Sequence, residues 1–213
     1  MDKLFSMEGP YARFMNWLWN ILVLSLLWLL CSLPVLTLGA SSTAAYYGAA
    51  KVLRHKNGTL VREFFASFRR NLRQSIPLTL VFLLLAVVLG LECLYLYSDS
   101  QVPLVMVALF AAMLLAVVGW GAYLWACLSR FDRRNAELFR LSVVLTFRHL
   151  LTTIGLLALV ILVLLGVFWT AWGILLFPGC GFYLATYLLE PILRRYSPRV
   201  EEDDPEAQKW YCQ

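Results

Sequence analysis

Side chains able to do chemistry are scarce in this sequence, and their positions limit what they can do. Glu92 is the only charge in the apolar run 77–97. A carboxylate inside a bilayer is expensive, and such groups usually mark a partner, a relay or a solute path. Glu92 also lies about a turn and a half from the polar stretch 98–101, so simply reaching the interface is its plainest role. Asn16 and Asn20 stand one helical turn apart at the start of another apolar run and share a face. Inside a bundle, amides at that spacing mostly bond to neighbouring helices. Asn16, Asn20 and Glu92 are therefore the candidate intramembrane polar residues. Glu190 precedes Arg194 by four positions, the spacing of a local helical ion pair.

Other reactive types are not arranged for catalysis. His55 and His149 sit beside basic residues, with no Cys or carboxylate companions at the spacing of a zinc site. No GxSxG elbow, phosphate-binding loop or dinucleotide glycine pattern occurs in the sequence. No catalytic residue, metal or cofactor is expected, and the chain does not read as an enzyme. The five cysteines form no CxxC and lie mostly in apolar runs, as small packed hydrophobes do. Cys31 and Cys180 both fall near turns, and whether they pair is left open by the sequence.

The elements that would carry these residues follow from composition. The chain has 213 residues, 61% hydrophobic and 15% charged, with a mean hydropathy of +0.72. Soluble domains run near 45–50% apolar and about 25% charged, so this is a polytopic membrane protein. Its net charge of +5 is confined to particular segments: all 18 Lys and Arg fall at the N-terminus, in 51–73, in 130–148 or after Leu193. Basic residues restricted to segments between apolar runs are a topology signal. They require no nucleic-acid partner.

The organising stretch is 16–53. Residues 17–33 carry no charge, Pro34 and Gly39 mark a turn, and the return limb is small-faced. Ala40, Ala44 and Gly48 form one stripe, with Ser41, Ala45 and Ala49 beside it. That spacing lets helix backbones approach closely, so these six are the expected helix-packing seam. Further apolar runs at 77–97, 103–128, 150–169 and 182–193 give an all-α transmembrane bundle. Six helices in three hairpins with both ends cytoplasmic satisfy the charge rule, and five spans are the alternative. Residues 1–196 read as one domain, and 197–213 as a polar acidic tail.

Two segments read as amphipathic helices at the inner surface, 60–74 and 136–149. On the first, Val61, Phe64, Phe65, Phe68 and Leu72 form one face, with Arg62, Arg69, Arg70 and Arg73 off it. Phe64, Phe65, Phe68, Arg69, Arg70 and Arg73 are accordingly the candidate contact, to the membrane surface or to a cytoplasmic partner. Residues 67–72 and 146–151 share a pattern, a weak sign of an internal repeat.

Four pieces of the first half also carry a family resemblance. They are Asn16-Trp-Leu-Trp-Asn20, Leu27-Trp-Leu-Leu-Cys-Ser-Leu-Pro34, Thr37-Leu-Gly-Ala-Ser-Ser-Thr-Ala-Ala-Tyr46 and Glu63-Phe-Phe-Ala-Ser-Phe-Arg-Arg-Asn71. In that order they resemble the YesL-like family, bacterial integral membrane proteins without an assigned function. The resemblance implies an accessory role in carbohydrate uptake, beside the permease subunits of ABC importers, in the bacterial cell membrane. It implies no active site. A stand-alone transporter or channel, a membrane-organising scaffold in contact with the lipid bilayer, and a homo-oligomer remain as alternatives.

Overall fold

A computed structural model of the chain describes residues 10–56, 58–98, 103–131, 133–170 and 173–196. The acidic tail lies outside the described residues. Among the described residues seven α-helices follow in order: α1 (Pro10–Ser32), α2 (Leu38–Gly48), α3 (Leu60–Ser98), α4 (Leu104–Arg130), α5 (Asn135–Arg148), α6 (Leu150–Trp169) and α7 (Gly173–Tyr196). A 3₁₀ turn, Val35–Thr37, joins α1 to α2, and a π-helical segment, Ala49–Arg54, extends α2. The protein is an all-α polytopic bundle, with no strand among the described residues.

Among the described residues, five helices are long and apolar enough to cross a membrane: Arg13–Ser32 of α1, and α3, α4, α6 and α7. The return limb of the first hairpin is not among them. At 1.5 Å per residue, α2 is only about 16 Å long, half a bilayer core of ~30 Å. The helix lengths thus give the alternative count of five. The turn before α2 is closed locally: Pro34 follows α1, and the Thr37 hydroxyl lies 2.6 Å from the Cys31 carbonyl and 2.7 Å from that of Pro34. The Cys31 carbonyl is one that the end of α1 leaves without an N–H partner, whereas Pro34 O also accepts from the Thr37 N–H at 2.8 Å.

The expected separate surface helix at 60–74 is corrected. It is continuous with the following span in the 39-residue α3, and Pro77 lies inside the helix instead of opening it. A mid-helix proline removes one backbone donor. Ser75 and Thr79 on either side turn their hydroxyls back onto the helix backbone: Ser75 donates to Leu72 O at 3.0 Å and Thr79 to Ser75 O at 2.8 Å. The inward stripe of this half is Leu60, Phe64, Ser67, Asn71, Ser75 and Leu78, not the run of aromatics expected from the sequence. Asn71 folds back on Ser67, its amide donating to the Ser67 carbonyl (3.0 Å) and hydroxyl (3.2 Å).

The reason is α2, which packs along this half of α3. Nine of its eleven residues are buried, Gly39 to Tyr46 and Gly48. A Cβ on Gly39 would overlap the Thr79 hydroxyl and come within 2.6 Å of the Trp125 ring. Two apolar clusters flank this contact. One joins α1, α2 and the start of α3 through Ile21, Leu24, Ala45 and Phe64. The other joins α4 to α7 around Tyr123, Leu124, Leu128, Leu145 and Leu189.

Candidate functional site

α2 ends where three helices converge on buried charge. Arg130, the last residue of α4, forms an ion pair through Nη2 with Oε1 of Glu190 in α7. The two side chains are only 2% and 7% exposed. From α2, the Tyr46 hydroxyl donates to the other carboxylate oxygen of Glu190 at 3.4 Å. Glu190 is therefore held by α4 and α2, not in the local ion pair with Arg194 expected from the i,i+4 spacing. That spacing describes an isolated helix, whereas here Glu190 faces the core and Arg194 is exposed. Burying two charges costs several kcal/mol per ion unless geometry and further hydrogen bonds compensate.

The π segment adds two more ties. Its wider turn is marked by the i→i+5 bond from His55 N to Ala50 O, 3.2 Å, and such turns are frequent at functional sites. Lys51 and Arg54, three residues apart, reach different helices. Lys51 Nζ bonds Glu63 of α3 at 2.7 Å and the Tyr47 hydroxyl at 3.3 Å. Arg54 donates to the Thr186 carbonyl of α7 at 2.7 Å and lies 4.8 Å from the Tyr187 ring centroid. Next in sequence, His55 has its pKa pushed below 6.5 by partial burial, then by Arg54, Arg130 and Arg194.

The residues singled out from sequence are distributed as follows. All six seam residues, Ala40, Ser41, Ala44, Ala45, Gly48 and Ala49, are buried. A Cβ on Gly48 would stand 3.2 Å from Leu60 and 3.7 Å from Leu24, so α1 and α3 both close on that stripe. Asn16 and Glu92 are exposed and Asn20 is half-buried. Among the described residues no hydrogen bond joins these three into a polar path. Phe64 is fully buried and stacks on half-buried Phe68 (centroids 6.3 Å apart), whereas Phe65, Arg69, Arg70 and Arg73 are exposed. Cys31 and Cys180 are free thiols.

Arg130, Tyr46 and Arg54 escaped the sequence reading. The available signal is a basic residue that ends one apolar run and an acid near the end of another. A second missed contact is the crossing of α1 and α7, where Gly179 N–H donates to Ser25 Oγ at 2.8 Å. Two apolar-walled cavities lie elsewhere. One of about 180 Å³ is lined by Leu85, Ala116, Val117, Trp120, Phe139 and Val143 among others. One of about 460 Å³ lies at the α6–α7 end, between Leu165, Phe168, Trp169 and Phe177.

Residues 21–93 match the family described as "Protein of unknown function, DUF624". This is the family to which the YesL-like resemblance points. No curated protein and no solved structure matches the chain. The DUF624-like stretch contains Tyr46, Lys51, Arg54 and Glu63, whereas Arg130 and Glu190 lie beyond it. The charge cluster therefore joins that stretch to the second half of the chain.

Proposed function

We propose that this protein is a non-enzymatic accessory component of the bacterial cell membrane, attached to a carbohydrate ABC importer whose uptake it supports or regulates. Both termini are cytoplasmic in this reading. One observation carries the accessory role. The buried charges at the centre of the bundle are spent on bonds between helices, while the exposed side of α3 presents Arg62, Phe65, Arg69 and Arg73. Those four recur at i, i+3, i+7 and i+11, one stripe opposite the buried one. Three guanidinium groups around an exposed aromatic suit an acidic, partly apolar protein surface. The importer itself enters through the family resemblance alone.

The test is purification of the tagged protein in mild detergent with mass spectrometry of its partners. Recovery of permease subunits with the wild type, lost in Phe65→Ala/Arg69→Glu/Arg73→Glu, supports the reading. Recovery of the chain alone overturns it. A second reading, a small transporter, is favoured by the buried Arg130–Glu190 pair within two spanning helices. Its signature would be solute flux into proteoliposomes holding only this chain, abolished by Glu190→Gln.

A further inference from the structure

We infer that the groove between α3, α4 and α5 binds an anionic phospholipid, with an acyl chain in the groove and the phosphate on Arg133, Arg134 and Arg140. This site is separate from the α3 stripe proposed above as a protein contact.

The groove is the 180 Å³ cavity whose walls come from Leu85 of α3, Ala116, Val117 and Trp120 of α4, and Phe139 and Val143 of α5. Its polar wall atoms are already engaged. Trp120 Nε1 donates to Ser142 Oγ at 2.8 Å, and Thr146 Oγ1 donates to the Ser142 carbonyl at 2.8 Å. What remains facing the space is carbon. Leu85 of α3 and Phe147 of α5 are 40% and 67% exposed, so the groove has an outer rim. Leu85, Ala116 and Val117 belong to helices long and apolar enough to span the membrane, where the surrounding solvent is hydrocarbon. A partner helix is about 10–12 Å across with its side chains, too wide for this volume. A single methylene chain is not.

Charge selects the headgroup. Arg134 immediately precedes α5, Arg140 follows the groove residue Phe139, and all three arginines are exposed. The Gln74 amide donates to the Arg133 carbonyl, which pins this connection beside α3. The one described acid here, Glu137, is itself exposed and 3.8 Å from Arg133, a weak pairing. Basic pockets between spanning helices are where anionic headgroups are held. The larger cavity at the α6–α7 end has similar apolar walls, but its lining residues lie in a stretch, 149–193, that carries no Lys or Arg.

The experiment uses the full chain in nanodiscs of phosphatidylcholine doped with phosphatidylglycerol, followed by native mass spectrometry after release. Three proteins are compared: wild type, Arg133→Gln/Arg134→Gln/Arg140→Gln, and Val143→Trp, which fills the groove. Wild type is expected to retain phosphatidylglycerol over phosphatidylcholine. The triple variant should lose affinity on the order of 100-fold, from about fivefold per arginine near an anionic surface. Val143→Trp should lose retention with all arginines present. The triple variant changes exposed residues only, so its elution profile and thermal midpoint should match wild type. Equal retention of both lipids, full retention by either variant, or a protein segment found in the groove in place of lipid would overturn the proposal.

Discussion

Replacing Glu190 with Gln tests the charge cluster most directly. The substitution keeps the side-chain shape and an acceptor for Arg130 but removes the countercharge. Arg130 is then left in a site where its side chain is 2% exposed. Breaking a buried pair by removing one partner costs about 3–5 kcal/mol, because the survivor is an uncompensated buried charge. At ~1.4 kcal/mol per decade, this lowers the folded-to-unfolded ratio by roughly 10²–10⁴. The retained acceptor places Glu190→Gln near the lower end. Converting both partners, Arg130→Met/Glu190→Leu, removes the charge and its complement together and should recover most of the loss. Unfolding in mixed micelles, followed by tryptophan fluorescence, measures all three proteins on one scale. The reasoning fails if Glu190→Gln lies within about 0.5 kcal/mol of wild type. It fails equally if the double variant is no more stable than Glu190→Gln.

Further predictions concern packing and pH. Gly39→Ala should cost about 1–3 kcal/mol by overpacking against Thr79 and Trp125. Gly90→Ala, where a Cβ meets nothing within 4 Å, should instead gain about 0.5–1 kcal/mol from helix propensity. Thermal midpoints of the two variants should move in opposite directions. Ser25→Ala strips the buried Gly179 N–H of its acceptor at the α1–α7 crossing and should cost about 1–3 kcal/mol; an unchanged midpoint would refute that role. His55 has a depressed folded-state pKa. The unfolded chain therefore takes up the proton first, and stability should decline as pH falls below 6.5, levelling once the folded form also protonates. His55→Gln should remove that slope, and a slope that survives would assign it to another group.

Much of the architecture was legible because lipid-facing surface advertises itself. Four of the five spanning helices coincide with long apolar runs, and exposed Leu84, Leu91, Leu164 and Leu165 show why composition alone finds them. The short return limb was harder. α2 faces protein on nearly every side, so its residues are chosen for small size, and its weak apolarity says little about burial. The first half of α3 departs from its sequence pattern for a related reason. The pattern puts its aromatics on the packed face, but the small-residue helix α2 packs along it, and Ser67, Asn71 and Ser75 lie inward while Phe65 is exposed. Glu190 was unreadable in a stricter sense. Its true partner lies 60 residues away, and nothing in an i,i+4 pattern reports a tertiary pairing.

The same burial resolves an apparent conflict between helix length and charge distribution. Helix lengths give five crossings, whereas keeping all the basic segments on one side requires the first hairpin to return. A limb that touches lipid must be long and apolar, since no other surface can shield its backbone. α2 touches α1, α3, α4 and α7 instead. Together with its π segment it has 17 residues, roughly 25 Å at helical rise. It can bring the chain most of the way back without meeting the criteria for a lipid-exposed span. Lys51 and Arg54 at its end are then anchors, bonded to Glu63 and to the Thr186 carbonyl. On this argument the bundle has five helices that face the bilayer and one enclosed limb on which the others close. The buried charge cluster lies at the end of that limb because α2, α4 and α7 converge there.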